Sequence, residues 1–339
     1  MEIKLATEIG PDLIPKWEAF VLSQKTGSLL QLPLWKDLFD SKTLGWFFFW
    51  GQEQGKIRIT ALIRVRKIFG LGVDCFIERG PVCDDETLLM EGIKHLLILL
   101  RKEKAIGLRL NPYWEFPVGE RIEFGLKELG FEPFQRKNDR HFETLTIDLG
   151  QSTEEIFKRF RKTTRYEIKK AKKLGSSVKI AENEAELWDF FRLFKTMSQK
   201  KEIKVPAYYY FQKLWDLVLK KKSLGILLLS HFGEQLISGV IILKHGERAV
   251  YSWGTSVNSD QVKISKTHLA MWEGIVWAKG NGCRLFDMGG YTGWQGSSSA
   301  TENIDLFKKG FGVEFCRLVK IHRYIFQKNK EKWLRPFLS

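Results

Sequence analysis

Cysteine is scarce in this sequence: Cys75, Cys83, Cys283 and Cys316 are scattered, and no two stand in CxxC spacing. That scarcity excludes a disulfide framework and a cysteine zinc site, and it suits a reducing cytoplasm. Long apolar runs are also missing, since HLLILL and WFFFW fall far short of the about 18 residues a membrane span needs. The polar opening MEIKLATEIG lacks the basic, apolar and small-residue regions of a secretory signal. A soluble protein is expected, with any membrane contact peripheral to the inner face of the plasma membrane.

Catalytic signatures are equally sparse. No GxSxG elbow, Walker loop, HExxH helix or zinc-deaminase pattern occurs. The histidines His95, His141, His231, His245, His268 and His322 are dispersed without ligand spacing. Covalent or metal-assisted chemistry has little to stand on, and neither metal nor organic cofactor is expected. Acidic residues are in deficit: 55 Lys and Arg against 40 Asp and Glu leave a formal charge of +15. Such an excess points to phosphate-bearing partners (nucleic acid, nucleotide-sugars or anionic headgroups) or simply to a basic surface.

What is present is a repeated order of elements. The 339 residues exceed what one core usually organises, and two α/β (α+β) domains are expected. In the first half FFFWGQEQGKIRITALIRVRK reads as a hairpin turning at Gln52 to Gly55. IKHLLILLRKEKAIGLRLNPY follows as an amphipathic helix, a stop at Gly107 and a buried strand. The second half repeats this with ILLLSHFGEQLISGVIILKHGERAVYSWG and HLAMWEGIVWAKGNGCRLFDMGG, the stop now at Gly282. Matching Ala61 with Gly239, Gly107 with Gly282 and Gly130 with Gly310 gives offsets of about 175 to 180 residues, as an internal duplication would. The expected domains are 1–150 and 151–320, with a basic segment 321–339 packing back on the first domain or lying on anionic headgroups.

Between the halves stands QSTEEIFKRFRKTTRYEIKKAKKLG, in which Ser152 and Glu155 make a capping box and Gly175 a C-terminal stop. One basic helix over 152–175 is expected, with Ile156, Phe160, Thr164 or Tyr166, Ile168 and Ala171 as its apolar stripe. Its cations repel one another unless counter-charge lies nearby, so the face either binds phosphate or pairs with surface carboxylates.

The element order is that of acyltransferases that splay a sheet around a thioester. Acyl-CoA binding needs a glycine-rich loop at a helix N-terminus to cradle the pyrophosphate, and SDQVKISKTHLAMWEG has no glycine before Gly274. The acyl donor is therefore expected not to be a CoA thioester. In CRLFDMGGYTGW, Asp287 precedes a glycine pair, with Tyr291 and Trp294 as walls, a place where backbone can approach a ligand. In LFKKGFG, Lys308 beside Phe307 offers a cation for a tetrahedral oxyanion.

Together LLQLPLWKDLF, RKTTRYEIKKAKKLG, RLFDMGGYTG and LFKKGFG resemble the Fem family of aminoacyl-tRNA-dependent peptidoglycan transferases. The resemblance implies two tandem GNAT-like domains, here without the long coiled-coil arm of some members. It implies transfer of an amino acid from aminoacyl-tRNA to a stem-peptide amine of a UDP-linked or lipid-linked precursor, with no protein partner. Phe307 and Lys308 would form the catalytic pair. Lys36, Asn111, Lys204, Tyr208, Trp253, Asp287 and Tyr291 would contact substrate, Asn111 standing where the family often has aspartate and Lys204 where arginine is frequent. Arg161, Lys162 and Arg165 would face tRNA or precursor phosphate. Another acyl donor or acceptor, or plain binding of RNA or an anionic membrane, are the competing readings.

Overall fold

In a computed structural model the described residues are 1–39, 44–68, 70–134, 142–201, 205–257, 264–291 and 299–328. The first half runs β1 (Glu2–Ala6), α1 (Leu13–Ser23), β2 (Leu44–Glu53), β3 (Lys56–Ile68), β4 (Gly72–Ile77), α2 (Glu86–Lys102), β5 (Ala105–Leu110), α3 (Val118–Glu128) and β6 (Glu132–Pro133). Then come β7 (Glu143–Asp148), α4 (Thr153–Arg159), α5 (Lys162–Lys173), β8 (Ser176–Ile180), α6 (Glu184–Lys201), α7 (Tyr208–Leu214) and β9 (Gly225–Phe232). The chain closes with β10 (Gln235–His245), β11 (Arg248–Ser256), α8 (His268–Gly280), β12 (Leu285–Gly290), α9 (Ser299–Lys309), β13 (Glu314–Arg317) and β14 (His322–Ile325). Among the described residues no helix is long and apolar enough to cross a membrane.

Two seven-stranded sheets result, ordered β1-β2-β3-β4-β5-β14-β6 and β8-β9-β10-β11-β12-β7-β13. Position by position these are the same sheet, with a parallel pair at β4–β5 and at β11–β12. Each sheet takes its sixth strand from the other half of the sequence. β7 is antiparallel to β12 and β14 is antiparallel to β5. The compact units are accordingly 1–142 with 316–339, and 143–315. The division falls at Phe142/Glu143 rather than at 150 because β7 hydrogen-bonds to β12, and the chain returns to the first unit already at Cys316.

Local chemistry explains the elements. Gln54 and Gly55, both at positive φ (50° and 75°), make the two-residue turn whose twist suits β2 and β3. Asp85 accepts from the Leu88 amide at 2.7 Å to start α2, whose Leu89, Ile93, Leu96 and Leu100 share one face and bury against Ile59, Ala61, Ile63 and Val65 of β3. α8 lies likewise on Val240 and Ile242 of β10. Both helices carry Glu-Gly-Ile, and in both the glycine meets the sheet closely: a Cβ on Gly92 would sit 2.4 Å from Ile59 Cδ1, and one on Gly274 2.1 Å from Ile242 Cδ1. One sequence expectation fails here: Gly107 lies inside β5, and the turn after α2 is made by Lys104 at φ 57°. The counterpart of Gly282 (φ 78°) is therefore Lys104.

The basic segment is two helices, not one. Phe160 and Arg161 are extended (ψ 148° each), because the Phe160 ring is drawn into Phe157, Trp272 and Phe311, with centroids 5.5, 5.4 and 5.1 Å away. The Arg161 amide bonds to the Gly310 carbonyl at 2.9 Å instead of to α4. Of the two stripe candidates Thr164 is buried and Tyr166 is exposed.

Candidate active site

The two parallel pairs differ where it matters. β4 and β5 stay paired to Ile77–Leu110, and the Asn111 amide extends the ladder to the Ile77 carbonyl at 3.3 Å. β11 and β12 pair only from Arg248–Leu285 to Val250–Asp287, although β11 continues to Ser256. The register between β12 and β7 also shifts between Asp287 and Gly290. The resulting irregularity lies beside four buried polar residues of the second unit, Thr144, Asp287, Asp305 and Lys308.

At its centre Lys308, near the end of α9 and 6% exposed, donates from Nζ to the Gly290 carbonyl at 2.6 Å. Burial lowers its pKa to about 8, against the opposing pull of Asp305, one turn earlier on the helix, and of Asp287. Asp287 is itself buried. Its Oδ1 accepts from the Thr144 hydroxyl and from the Gly289 amide at 2.7 Å, and its Oδ2 lies 3.6 Å from Arg248. Gly289 takes φ 77°, and a Cβ there would stand 3.2 Å from the Tyr251 carbonyl and 3.7 Å from Lys308 Nζ. The glycine thus lets the strand turn without covering the ammonium.

Phe307 and Lys308 do different jobs, since adjacent helical residues point about 100° apart. The Phe307 ring packs on His268 (4.9 Å) and Phe311 (5.2 Å), fixing α9 while its neighbour reaches the β12 turn. His268, on α8, is bonded through Nδ1 to Ser265 Oγ, and burial lowers its pKa against the pull of Glu167. Tyr291 donates its amide to the Glu143 carbonyl at 2.7 Å, and its ring lies 4.8 Å from Lys309 Nζ. Asp287 and Lys308 are therefore together, and Tyr291 follows the Gly290 carbonyl that Lys308 binds; Trp294 lies outside the described residues.

The motifs RKTTR and KKGFG are pressed against each other. A Cβ on Gly310 would be 2.4 Å from Thr164 Oγ1, and one on Gly312 2.6 Å from the Arg159 carbonyl. Arg165 donates from Nη1 to the carbonyls of Lys158 and Phe160, at 2.5 and 2.6 Å, closing the end of α4. Arg161 and Lys162 are exposed. The outward face of α5 carries Lys162, Lys169 and Lys173 around an exposed Tyr166, while Lys172 pairs with Glu273 at 2.8 Å.

The remaining expected residues divide between the units. Tyr208 and Trp253 enter one aromatic cluster of α6, α7 and β11. Tyr208 is 5.0 Å from Phe191, Phe191 5.8 Å from Phe211, and Phe211 5.7 Å from Trp253. Tyr208 also donates to Glu184 at 3.5 Å, and burial with that carboxylate raises its pKa. Lys204 lies outside the described residues. In the first unit Lys36 pairs with Asp37 at 2.8 Å on the surface. Asn111 is buried and accepts from the Arg79 amide at 3.0 Å, holding the turn after β4. Thr144, Arg248 and Asp305 escaped the sequence reading, because nothing linear links three polar residues on two strands and a helix to one lysine.

A duplicated mixed sheet with an interrupted parallel pair and a buried cation beside it defines a tandem GNAT-like acyltransferase fold. A model of the FemAB family matches residues 15–228, and the chain belongs to that family. It is 21% identical over 382 aligned positions to the lipid II:glycine glycyltransferase of Staphylococcus haemolyticus (strain JCSC1435), covering 91% of this chain and 90% of that protein. The corresponding enzyme of Staphylococcus epidermidis (strain ATCC 12228 / FDA PCI 1200) is 25% identical over 59% of this chain, which spans 50% of that relative's length. Among solved structures FemX superposes with TM-score 0.85 at 18% identity over 100% of both chains. A tandem GNAT protein from the clavulanic acid pathway does so with TM-score 0.55 at 9% identity, over 96% of this chain and 98% of that one.

Proposed function

We propose that this protein transfers an amino acid from aminoacyl-tRNA to an amine of a peptidoglycan-precursor stem peptide. The observation that carries the reading is the buried Lys308 ammonium beside the β12 turn, in a family whose relatives named above are lipid II:glycine glycyltransferases. In this reaction the acceptor amine attacks the ester carbonyl, the C–N bond forms, and the carbonyl oxygen becomes an oxyanion. Collapse breaks the bond to the ribose oxygen, which leaves with the proton lost by the amine. A lysine at this position supplies N–H groups to the oxyanion in a water-poor setting, where such stabilisation is worth most. Asp287 and Asp305 offset part of the burial penalty and keep Lys308 largely protonated at neutral pH.

The exposed lysines of α5 supply a sequence-independent attraction for the phosphates of a tRNA donor. The test offers the full chain charged tRNA, or separately acetyl-CoA, together with UDP-linked and lipid-linked stem peptides, and reads the products by mass. Aminoacyl adducts that disappear in Lys308→Met support the reading. Acetyl adducts alone, or no adduct from charged tRNA, overturn it.

A further inference from the structure

Where the chain leaves the Lys308 turn, the second unit shows an aromatic surface that the chemistry above does not use. The Tyr291 and Phe315 rings stand at 79° with centroids 6.0 Å apart, an edge-to-face pair. Phe315 lies on β13, the edge strand of its sheet, and is 56% exposed. Lys309 brings its Nζ to 4.8 Å from the Tyr291 ring, so a cation borders the pair. One turn earlier on the same face of α9, Leu306 is also exposed. Single surface apolar residues need no explanation, but an exposed aromatic pair with an apolar and a cationic neighbour marks a surface that takes a ligand.

Chain adjacency ties this surface to the candidate active site. Tyr291 directly follows Gly290, whose carbonyl accepts from Lys308 Nζ at 2.6 Å, and Lys309 directly follows Lys308. Glu314, the carboxylate next to Phe315, is held by Arg159 at 2.6 Å, so its charge is compensated and does not oppose an anionic ligand. An exposed ring stacks on any nucleobase, because every base has a π face, and an ammonium nearby suits a nucleotide's phosphate. Two nucleobases belong to the proposed reaction. The adenine at the 3′ end of tRNA sits on the same ribose as the reacting ester. The uracil of a UDP-linked acceptor is separated from the reacting amine by a diphosphate, a sugar and part of the stem peptide. Proximity to Lys308 selects the adenine.

We propose that Phe315 and Tyr291 form a stacking subsite for the 3′-terminal adenine of the aminoacyl donor, with Lys309 beside it for the nucleotide's phosphate. That the base is the donor's rests on the transferase reading; the capacity to stack a nucleobase does not. In this role the two rings hold the ester in line with Lys308, and their loss raises KM for charged tRNA more than it lowers kcat.

Fluorescence anisotropy of the full chain with a dye-labelled RNA ending in CCA tests this, against the same RNA whose terminal ribose carries no base. Wild type binds the complete RNA about tenfold more tightly. Phe315→Ala binds both RNAs equally, at the affinity wild type has for the abasic one, whereas Phe315→Trp keeps the preference. Pairing base removal with ring removal isolates the contact, because a variant that merely loses its fold also loses the abasic RNA. Circular dichroism checks each fold, and Tyr291→Leu, which should shrink the preference, stands in should Phe315→Ala not fold. Binding of the UDP-linked stem peptide that Phe315→Ala weakens as much would assign the rings to the acceptor's uracil and overturn the proposal. No binding of either RNA up to about 1 mM, no preference in wild type, or a preference that survives both substitutions overturns it too. A chain with the ring-dependent preference that makes no product from charged tRNA keeps the subsite and loses the transferase reading. A chain that makes product without that preference keeps the reading and loses the subsite.

Discussion

Replacing Lys308 by methionine should make the protein more stable and inactive at once. The ammonium is 6% exposed and its pKa stands at about 8 instead of the ordinary 10.5. That gap corresponds to about 3 kcal/mol by which folding disfavours the charged form. Methionine has a similar length and carries no charge, so it removes this penalty. It also forfeits the hydrogen bond to the Gly290 carbonyl, at about 1 kcal/mol. A net gain of about 2 kcal/mol is expected below pH 8. The sign follows from proton binding: between about 8 and 10.5 the folded protein holds fewer protons than the unfolded chain, so wild-type stability rises with pH across that window. The variant lacks this rise, and its advantage should vanish toward pH 10.5. Urea unfolding followed by tryptophan fluorescence, at several pH values from 7 to about 10.5, measures it. A variant less stable than wild type at pH 7, or an advantage that does not change with pH, would refute the reasoning. Transfer activity in the same variant should fall by about 10²- to 10³-fold.

In the proposed reaction the protonated lysine is the active form, so kcat should hold below about pH 8 and decline as pH rises through it. Asp287→Asn removes a charge that raises the lysine's pKa, so the decline should move to lower pH, and an unmoved profile would show that Asp287 acts only on packing. Arg165→Ala should cost about 1 to 3 kcal/mol by leaving the carbonyls of Lys158 and Phe160 without their donor, read as a lower urea midpoint. Replacing Lys162, Lys169 and Lys173 together by Gln should leave stability nearly unchanged while weakening tRNA binding. It should also flatten the dependence of log Kd on log salt by about 2 to 3, as measured by filter binding.

Much of the architecture was written locally. Apolar runs broken by polar turns marked β2, β3, β9 and β10, and the box of Ser152 and Glu155 opens α4, with the Ser152 amide 2.9 Å from the Glu155 carboxylate. Gly175 follows α5 at φ 83°. Such signals depend on neighbours a few residues away, which is why one sequence shows them. The break at Phe160 was not legible, because capping and periodicity favour one continuous helix. A buried ring contact and the Gly310 carbonyl override them. Arg165 reads as one more cation in a basic run, and only the fold reveals that it closes a helix end. Asn111 likewise reads as a substrate contact and sits holding a turn.

The sequence by itself determined the kinds of elements, their duplicated order and the excess of positive charge, since these follow from composition and short-range spacing. The tertiary structure alone decided which sheet receives β7 and β14, because a short strand is compatible with either edge until long-range pairing selects one. It also decided that Thr144, Asp287, Arg248 and Lys308 surround one turn, and that the Tyr291 ring meets both Phe315 and Lys309. Electrostatic fields depend on distance through space, and residues far apart along a chain acquire that distance only when it folds.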